Sequence, residues 1–186
     1  KGMPLITLYV NQTGVSDLTP LKGMPLTYLD ISQTRVTDLI PLEGMPLVTL
    51  YVNVTEVSDL TPLKGMPLAL LWMDGTQVSD LTPLKGMPLR SLRLIYVSAC
   101  PVMDLTPLQG MELADVQFDP SKITNGTDAI RNMKSLSTIN GLPAGIYTYT
   151  ITAQGSGGPV TQTATFTVNA VTSVSASIRI ATPPGP

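Results

Sequence analysis

The chain has 186 residues, a net charge of −2 at pH 7 and 13% charged residues, which leaves no basic field to hold nucleic acid or an acidic membrane surface. It contains no histidine, so the commonest general base, triad member and metal ligand is missing, and its one cysteine, Cys100, excludes an intrachain disulfide. No apolar run has the length of a membrane span, and the N-terminus lacks the charged start, apolar run and cleavage site of a signal peptide.

The first five residues, KGMPL, return at 22–26, 64–68 and 85–89, so the sequence begins inside a repeat and a longer parent chain is the expectation. Aligned on that motif, Gly2, Gly23, Gly44, Gly65 and Gly86 fall at a strict period of 21, with Gly110 following 24 residues later. A fixed period of this size marks a solenoid, in which each unit buries its apolar face against its neighbours. The second unit shows the skeleton: Leu26, Leu29, Ile31, Thr34, Val36, Asp38, Leu39, Pro41 and Leu42, matched position for position in the first, third and fourth.

Within each unit the alternation of Leu29 and Ile31 predicts a short strand with both side chains inward, stacked in parallel about 4.8 Å from the next. The segment DLTPL predicts the opposite, convex side. There Asp17, Asp38, Asp59, Asp80 and Asp104 can accept backbone N–H bonds at a tight or 3-10 turn, Pro presets φ, Gly takes a left-handed residue and Met fills the core. Metal binding by this Asp ladder is disfavoured, because a hard cation needs several oxygens converging on one point. The ten residues DLTPLKGMPL are identical at 17–26, 59–68 and 80–89, as expected of a frame in which every copy meets the same neighbours.

This skeleton resembles the leucine-rich repeat family, and most of all its short bacterial, internalin-like form, which carries an aspartate and a proline before its last leucine. The resemblance covers about residues 1–140 and six consecutive units. It implies a mostly β fold: a curved parallel sheet on the concave side, turns or 3-10 helix on the convex side. One departure is that Thr13, Thr34, Thr55 and Thr76 stand where the family has asparagine; a hydroxyl can still satisfy backbone groups at the strand's end, with fewer bonds.

The register breaks once, in LRLIYVSACPVMDL at 92–105, where Cys100 is expected to point inward as a small packed residue while residues 95–99 bulge. After the sixth strand, at Leu113, Val116 and Phe118, the pattern is expected to give way to a C-terminal cap, from about residue 113. In it Asn125 or Thr127 caps a short helix through Asp128, Ala129 and Ile130. The first repeat has no such cap, and its core edge is expected to be exposed unless further chain or a partner covers it.

From residue 141 to 186 the composition turns to Thr, Ser, Val, Gly and Ala. GIYTYTITAQ and PVTQTATFTVNA around QGSGGP predict a β-hairpin, TSVSASIRIA a third strand, and ATPPGP a frayed end. The GLPAGIYTYTITAQ segment resembles the late strands of bacterial immunoglobulin-like surface modules, of which about half would be present.

The concave face can be written down from the register. Its middle column is Tyr9, Asp30, Tyr51, Trp72, Arg93 and Gln117, preceded by Thr7, Tyr28, Thr49, Leu70, Ser91 and Asp115, and followed by Asn11, Ser32, Asn53, Asp74, Ile95 and Asp119. Four of the nine aromatic residues fall there, and Tyr, Trp and Arg are the residues most often found at binding hot spots. The competing explanation is that aromatics on a strand simply stabilise the sheet by cross-strand packing. The expected ligand-binding set is Tyr9, Tyr28, Asp30, Tyr51, Trp72, Asp74 and Arg93, with no catalytic, metal or cofactor site.

The expected function is a non-enzymatic module that binds a protein or peptide on this face. Three alternatives stay open: a structural or adhesive cell-surface repeat whose tail makes the contacts, carbohydrate binding on the aromatic row, and an array regulating an enzyme domain elsewhere in the parent protein. The setting favoured is extracellular or the cell surface, the cytoplasm being the other option. Self-association as a homodimer is expected through the first repeat or the β tail. Asn11, Asn53 and Asn125 head glycosylation-like triplets, the first two produced by the repeat itself.

Overall fold

The computed structural model describes residues 5–94, 101–120, 122–140, 142–143, 145–155 and 158–168, the last three segments as backbone. The break expected at residues 95–99, the inward Cys100, the third tail strand and ATPPGP lie outside the described residues.

Five three-residue strands follow at the 21-residue interval, β1 (Thr7–Tyr9), β2 (Tyr28–Asp30), β3 (Thr49–Tyr51), β4 (Leu70–Trp72) and β5 (Ser91–Arg93), and a sixth, β6 (Asp115–Gln117), comes 24 residues after β5. They pair in parallel and in register, with Leu8, Leu29, Leu50, Leu71, Leu92 and Val116 forming one inward ladder. From Leu29 onward that ladder is fully buried, and the second inward ladder of Ile31, Val52, Met73, Leu94 and Phe118 lies beside it. Each such side chain removed from water stabilises the stack by about 1.5–3 kcal/mol. In the first unit Leu8, Val10, Val15 and Leu21 are partly buried and pack against this core.

The strands end where the chain bends away through a left-handed residue: Gln12, Gln33, Val54 and Gly75 have φ of 57°, 56°, 55° and 68°. The backbone ladder continues through the bend, with Gln33 N–H donating to the Asn53 carbonyl at 2.7 Å and Val54 N–H to the Asp74 carbonyl at 2.7 Å. Just beyond, the hydroxyls of Thr34, Thr55 and Thr76 donate to the carbonyls of Ile31, Val52 and Met73 at 2.7, 2.7 and 2.9 Å. Threonine therefore satisfies the carbonyl three residues back, inside the core.

The convex side consists of 3-10 turns at Thr19–Leu21, Ile40–Leu42, Thr61–Leu63, Thr82–Leu84 and Thr106–Leu108. Each preceding aspartate accepts the N–H two residues on, from Thr19, Ile40, Thr61, Thr82 and Thr106, at 2.7–2.8 Å. These are Asx turns that start the 3-10 turn from one position before its cap. A glycine with φ of 71–78° then turns the chain toward the next strand at Gly23, Gly44, Gly65, Gly86 and Gly110.

After β6 the expected short helix through Asp128, Ala129 and Ile130 is present, and the repeat's interval continues around it. Asn125 bridges Asp104 in parallel, and the helix α1 (Thr127–Arg131) occupies the place of the next 3-10 turn, packed on Thr106–Leu108. Neither Asn125 nor Thr127 caps it through a side chain: the N-cap is Gly126, at φ 77°. The reason is space, because a Cβ at Gly126 would stand 2.1 Å from the Thr106 nitrogen and 2.5 Å from the Leu105 carbonyl carbon. Ile130 enters the core, and a seventh parallel strand, β7 (Thr138–Ile139), pairs with β6.

Asn140, at φ 53°, then reverses the chain so that β8 (Leu142–Pro143) pairs antiparallel with β7 across a two-residue connection. The dipeptide Asn-Gly at 140–141 is a strong hairpin signal. Among the described residues the eight-stranded sheet ends at β8, a two-residue strand containing a proline, a poor template for further pairing. Separately, β9 (Gly145–Gly155) and β10 (Gly158–Val168) form the expected antiparallel hairpin.

Candidate binding surface on the concave face

The parallel register sets Tyr9, Asp30, Tyr51, Trp72, Arg93 and Gln117 in one row across the sheet. Thr7, Tyr28, Thr49, Leu70, Ser91, Asp115 and Thr138 form the row beside it. Strand residues two apart share a face, so both rows line the concave side. Tyr9 is the most open, at 61% exposure, and Tyr28, Asp30, Tyr51, Trp72 and Arg93 are half-buried.

The aromatic side chains touch in succession, crossing between rows. The Tyr9 and Tyr28 centroids are 4.8 Å apart with planes at 46°, and those of Tyr28 and Tyr51 are 5.6 Å apart at 49°. Tyr51 then meets Trp72 edge to face, at 4.9 Å and 88°, the arrangement favoured by the ring quadrupole. Tyr28 reaches both neighbours because the residues flanking it in its own row, Thr7 and Thr49, are short. Burial, the hydroxyl of Tyr9 and the charge of Asp30 push the Tyr28 phenol above its ordinary pKa.

Trp72 is held from several sides. Its indole N–H donates to the Ser91 hydroxyl at 3.3 Å, and that hydroxyl donates to Asp115 Oδ2 at 3.3 Å. The Thr138 hydroxyl donates to Asp115 Oδ1. The guanidinium of Arg93 lies 4.4 Å above the Trp72 ring, and its Nε is 3.4 Å from Asp74 Oδ2. That last contact is an ion pair without hydrogen-bond geometry.

Six of the seven expected ligand-binding residues, Tyr9, Tyr28, Asp30, Tyr51, Trp72 and Arg93, therefore line one continuous surface. Asp74 differs: it is only 5% exposed, with its backbone N–H donating to Asn53 Oδ1 at 3.1 Å. Its carboxylate is withdrawn beneath Arg93 and orients that side chain instead of facing solvent. The register places Ser91 and Asp115 in one column, but their role in fixing Trp72 depends on hydroxyl directions that spacing does not carry. Thr138 belongs to the strand that the repeat pattern missed.

Each convex aspartate has an oxygen committed to a backbone N–H, and among the described residues no group of three His, Cys, Asp or Glu converges to hold a metal ion. Among the same residues no helix is long and apolar enough to cross a membrane.

Neither a family model nor a curated protein matches this sequence. Among solved structures it is similar to internalin C2 from Listeria monocytogenes, with a TM-score of 0.54 and 24% identity over 73% of this chain and 70% of that one. Short parallel strands on one side, 3-10 turns on the other and a 21-residue spacing agree with that likeness. The chain has the leucine-rich repeat fold in its internalin-like form, a mostly β solenoid.

Proposed function

We propose that the chain is a non-catalytic interaction module that binds a protein or peptide on the concave face of its repeat array. The observation that carries this reading is the ordered aromatic row from Tyr9 to Trp72, ended by Arg93. Its rings are fixed by one another and by the Ser91–Asp115–Thr138 hydroxyl and carboxylate chain. Aromatic and arginine side chains held in place before contact lose little entropy on binding, which is what hot-spot residues need. The same likeness to an internalin supports a surface that meets other proteins.

The test is to select peptides on the intact protein from a displayed random library and to measure each by calorimetry on the wild type and on Trp72→Ala. A loss of at least about tenfold in affinity on the folded variant is expected. Selected peptides that bind Trp72→Ala as well as the wild type would sink the assignment.

A second reading, of a structural or adhesive repeat whose tail makes the contacts, is favoured by β9 and β10, which among the described residues pair only with each other. Binding that survives Trp72→Ala and is lost when residues 144–186 are removed would support that reading over the first.

A further inference from the structure

We propose that Asp30 and the three tyrosines around it, Tyr9, Tyr28 and Tyr51, form a receptor for a cationic side chain, lysine or arginine, presented by a segment of the partner protein. This deepens the concave-face reading and rests on it.

Asp30 stands between Tyr9 and Tyr51 in the strand register, one strand spacing from each, and Tyr28 precedes it by two residues on the same strand and face. The two ring pairs, tilted at 46° and 49° with centroids 4.8 and 5.6 Å apart, make angled walls instead of a flat stack. Oδ1 of Asp30 is fixed by the Ser32 N–H at 2.9 Å, and none of the ion pairs among the described residues involves this carboxylate. The group is half-buried and open to the concave side.

The other half of the same face shows what such a set of groups holds. There a guanidinium lies 4.4 Å over an indole and 3.4 Å from a carboxylate, and the cation is the chain's own Arg93. In the first three units three rings and the carboxylate are present, and among the described residues no base forms an ion pair with that carboxylate. Lys22 follows the convex 3-10 turn, and Arg35 lies beyond Thr34, its N–H bonded to the Val15 carbonyl. A cation seated on a ring and beside an acid gains from the ring quadrupole and the charge together. The surrounding field has the matching sign, since the concave columns carry Asp30, Asp74, Asp115 and Asp119 against Arg93.

The probes are three blocked pentapeptides, Gly-Gly-Arg-Gly-Gly, its Lys counterpart and its Glu counterpart, titrated into the 15N-labelled full chain at low salt and followed by NMR. The Arg and Lys peptides are expected to shift the amides of residues 28–32 and 51–53, with the Glu peptide leaving them in place. Asp30→Asn should weaken the Arg peptide about tenfold, Tyr28→Leu should weaken it similarly, and Tyr28→Phe, which keeps the ring face, should bind as the wild type does.

Equal shifts from the Glu peptide, or unchanged affinity in Asp30→Asn, would overturn the cation receptor and leave the concave-face reading standing, provided that library binders still depend on Trp72. Library binders indifferent to Trp72→Ala would overturn the underlying reading and this one with it. Should Asp30→Asn fail to fold, Tyr9→Ala, at a residue 61% exposed, carries the same test: a retained Arg-peptide affinity counts against the proposal and a loss supports it.

Discussion

Arg93 lies over Trp72, its guanidinium carbon 4.4 Å from the ring centroid, while Asp74 below holds Nε at 3.4 Å. Because the pair is only partly exposed, the contact is expected to contribute to folding as well as to shape the face. A double-mutant cycle of Trp72→Leu and Arg93→Leu, read by urea unfolding, should give a coupling of about 0.5–1 kcal/mol. A coupling of zero would mean that the two side chains merely lie near each other.

The convex aspartates predict an acid limb. The hydroxyl and N–H of Thr61 hold the Asp59 carboxyl below its ordinary pKa, as Thr19, Thr82 and Thr106 do for Asp17, Asp80 and Asp104. With the folded pKa depressed, the stabilisation is fully present above the unfolded value and disappears as pH falls through the folded one, so it fades below about pH 4. Thr61→Val, which keeps the N–H and removes the hydroxyl, should raise the Asp59 pKa in an NMR titration and flatten the acid dependence of stability. An unmoved Asp59 titration would rule the hydroxyl out as the cause.

Two glycines with nearly the same φ should respond very differently to alanine. At Gly23 (φ 73°) a Cβ would have no heavy atom within 4 Å, whereas at Gly126 (φ 77°) that atom would meet the Thr106 and Leu105 backbone. Gly23→Ala is expected to cost about 1 kcal/mol for the left-handed conformation. Gly126→Ala should cost at least about 3 kcal/mol, because α1 must move off the 3-10 turn beneath it. Equal costs in thermal unfolding would contradict the close approach.

Val54 is the misfit of the strand-end bend: a β-branched residue at φ 55°, 37% exposed, where the next unit has Gly75. Such a residue is held in a left-handed conformation only against local strain. Val54→Asn should therefore stabilise the protein by about 0.5–1 kcal/mol and raise Tm by about 2 °C. A lower Tm would show that the valine methyls contribute more through packing than the bend costs.

Much of the frame was legible because it repeats. The inward leucines, the aspartate that starts each 3-10 turn and the glycine that ends it occupy one position per unit, so a single physical argument served five copies. The seventh strand was missed because its unit disguises each landmark: Asn125-Gly126-Thr127 replaces Asp-Leu-Thr, an α turn replaces the 3-10 turn, and only Thr138 and Ile139 pair with β6. Spacing also located the concave residues without their directions. It placed Tyr28 and Tyr51 in different columns, whereas ring tilt brings them into contact, and it placed Asp74 on the open face, whereas the carboxylate tucks beneath Arg93.

The identity of DLTPLKGMPL at 59–68 and 80–89 has a consequence for how such a surface can be edited. Excising residues 69–89 joins Leu68 to Arg90 through a junction whose preceding ten residues are those already found before Arg90. The covalent junction is one the chain already has, while Val52 comes to lie beside Leu94 in place of Met73, Trp72 is gone and Tyr51 comes to stand beside Arg93. Whole units behave as cassettes: recombination between identical turns lengthens, shortens or reorders the recognition row while each joint is one the chain already tolerates.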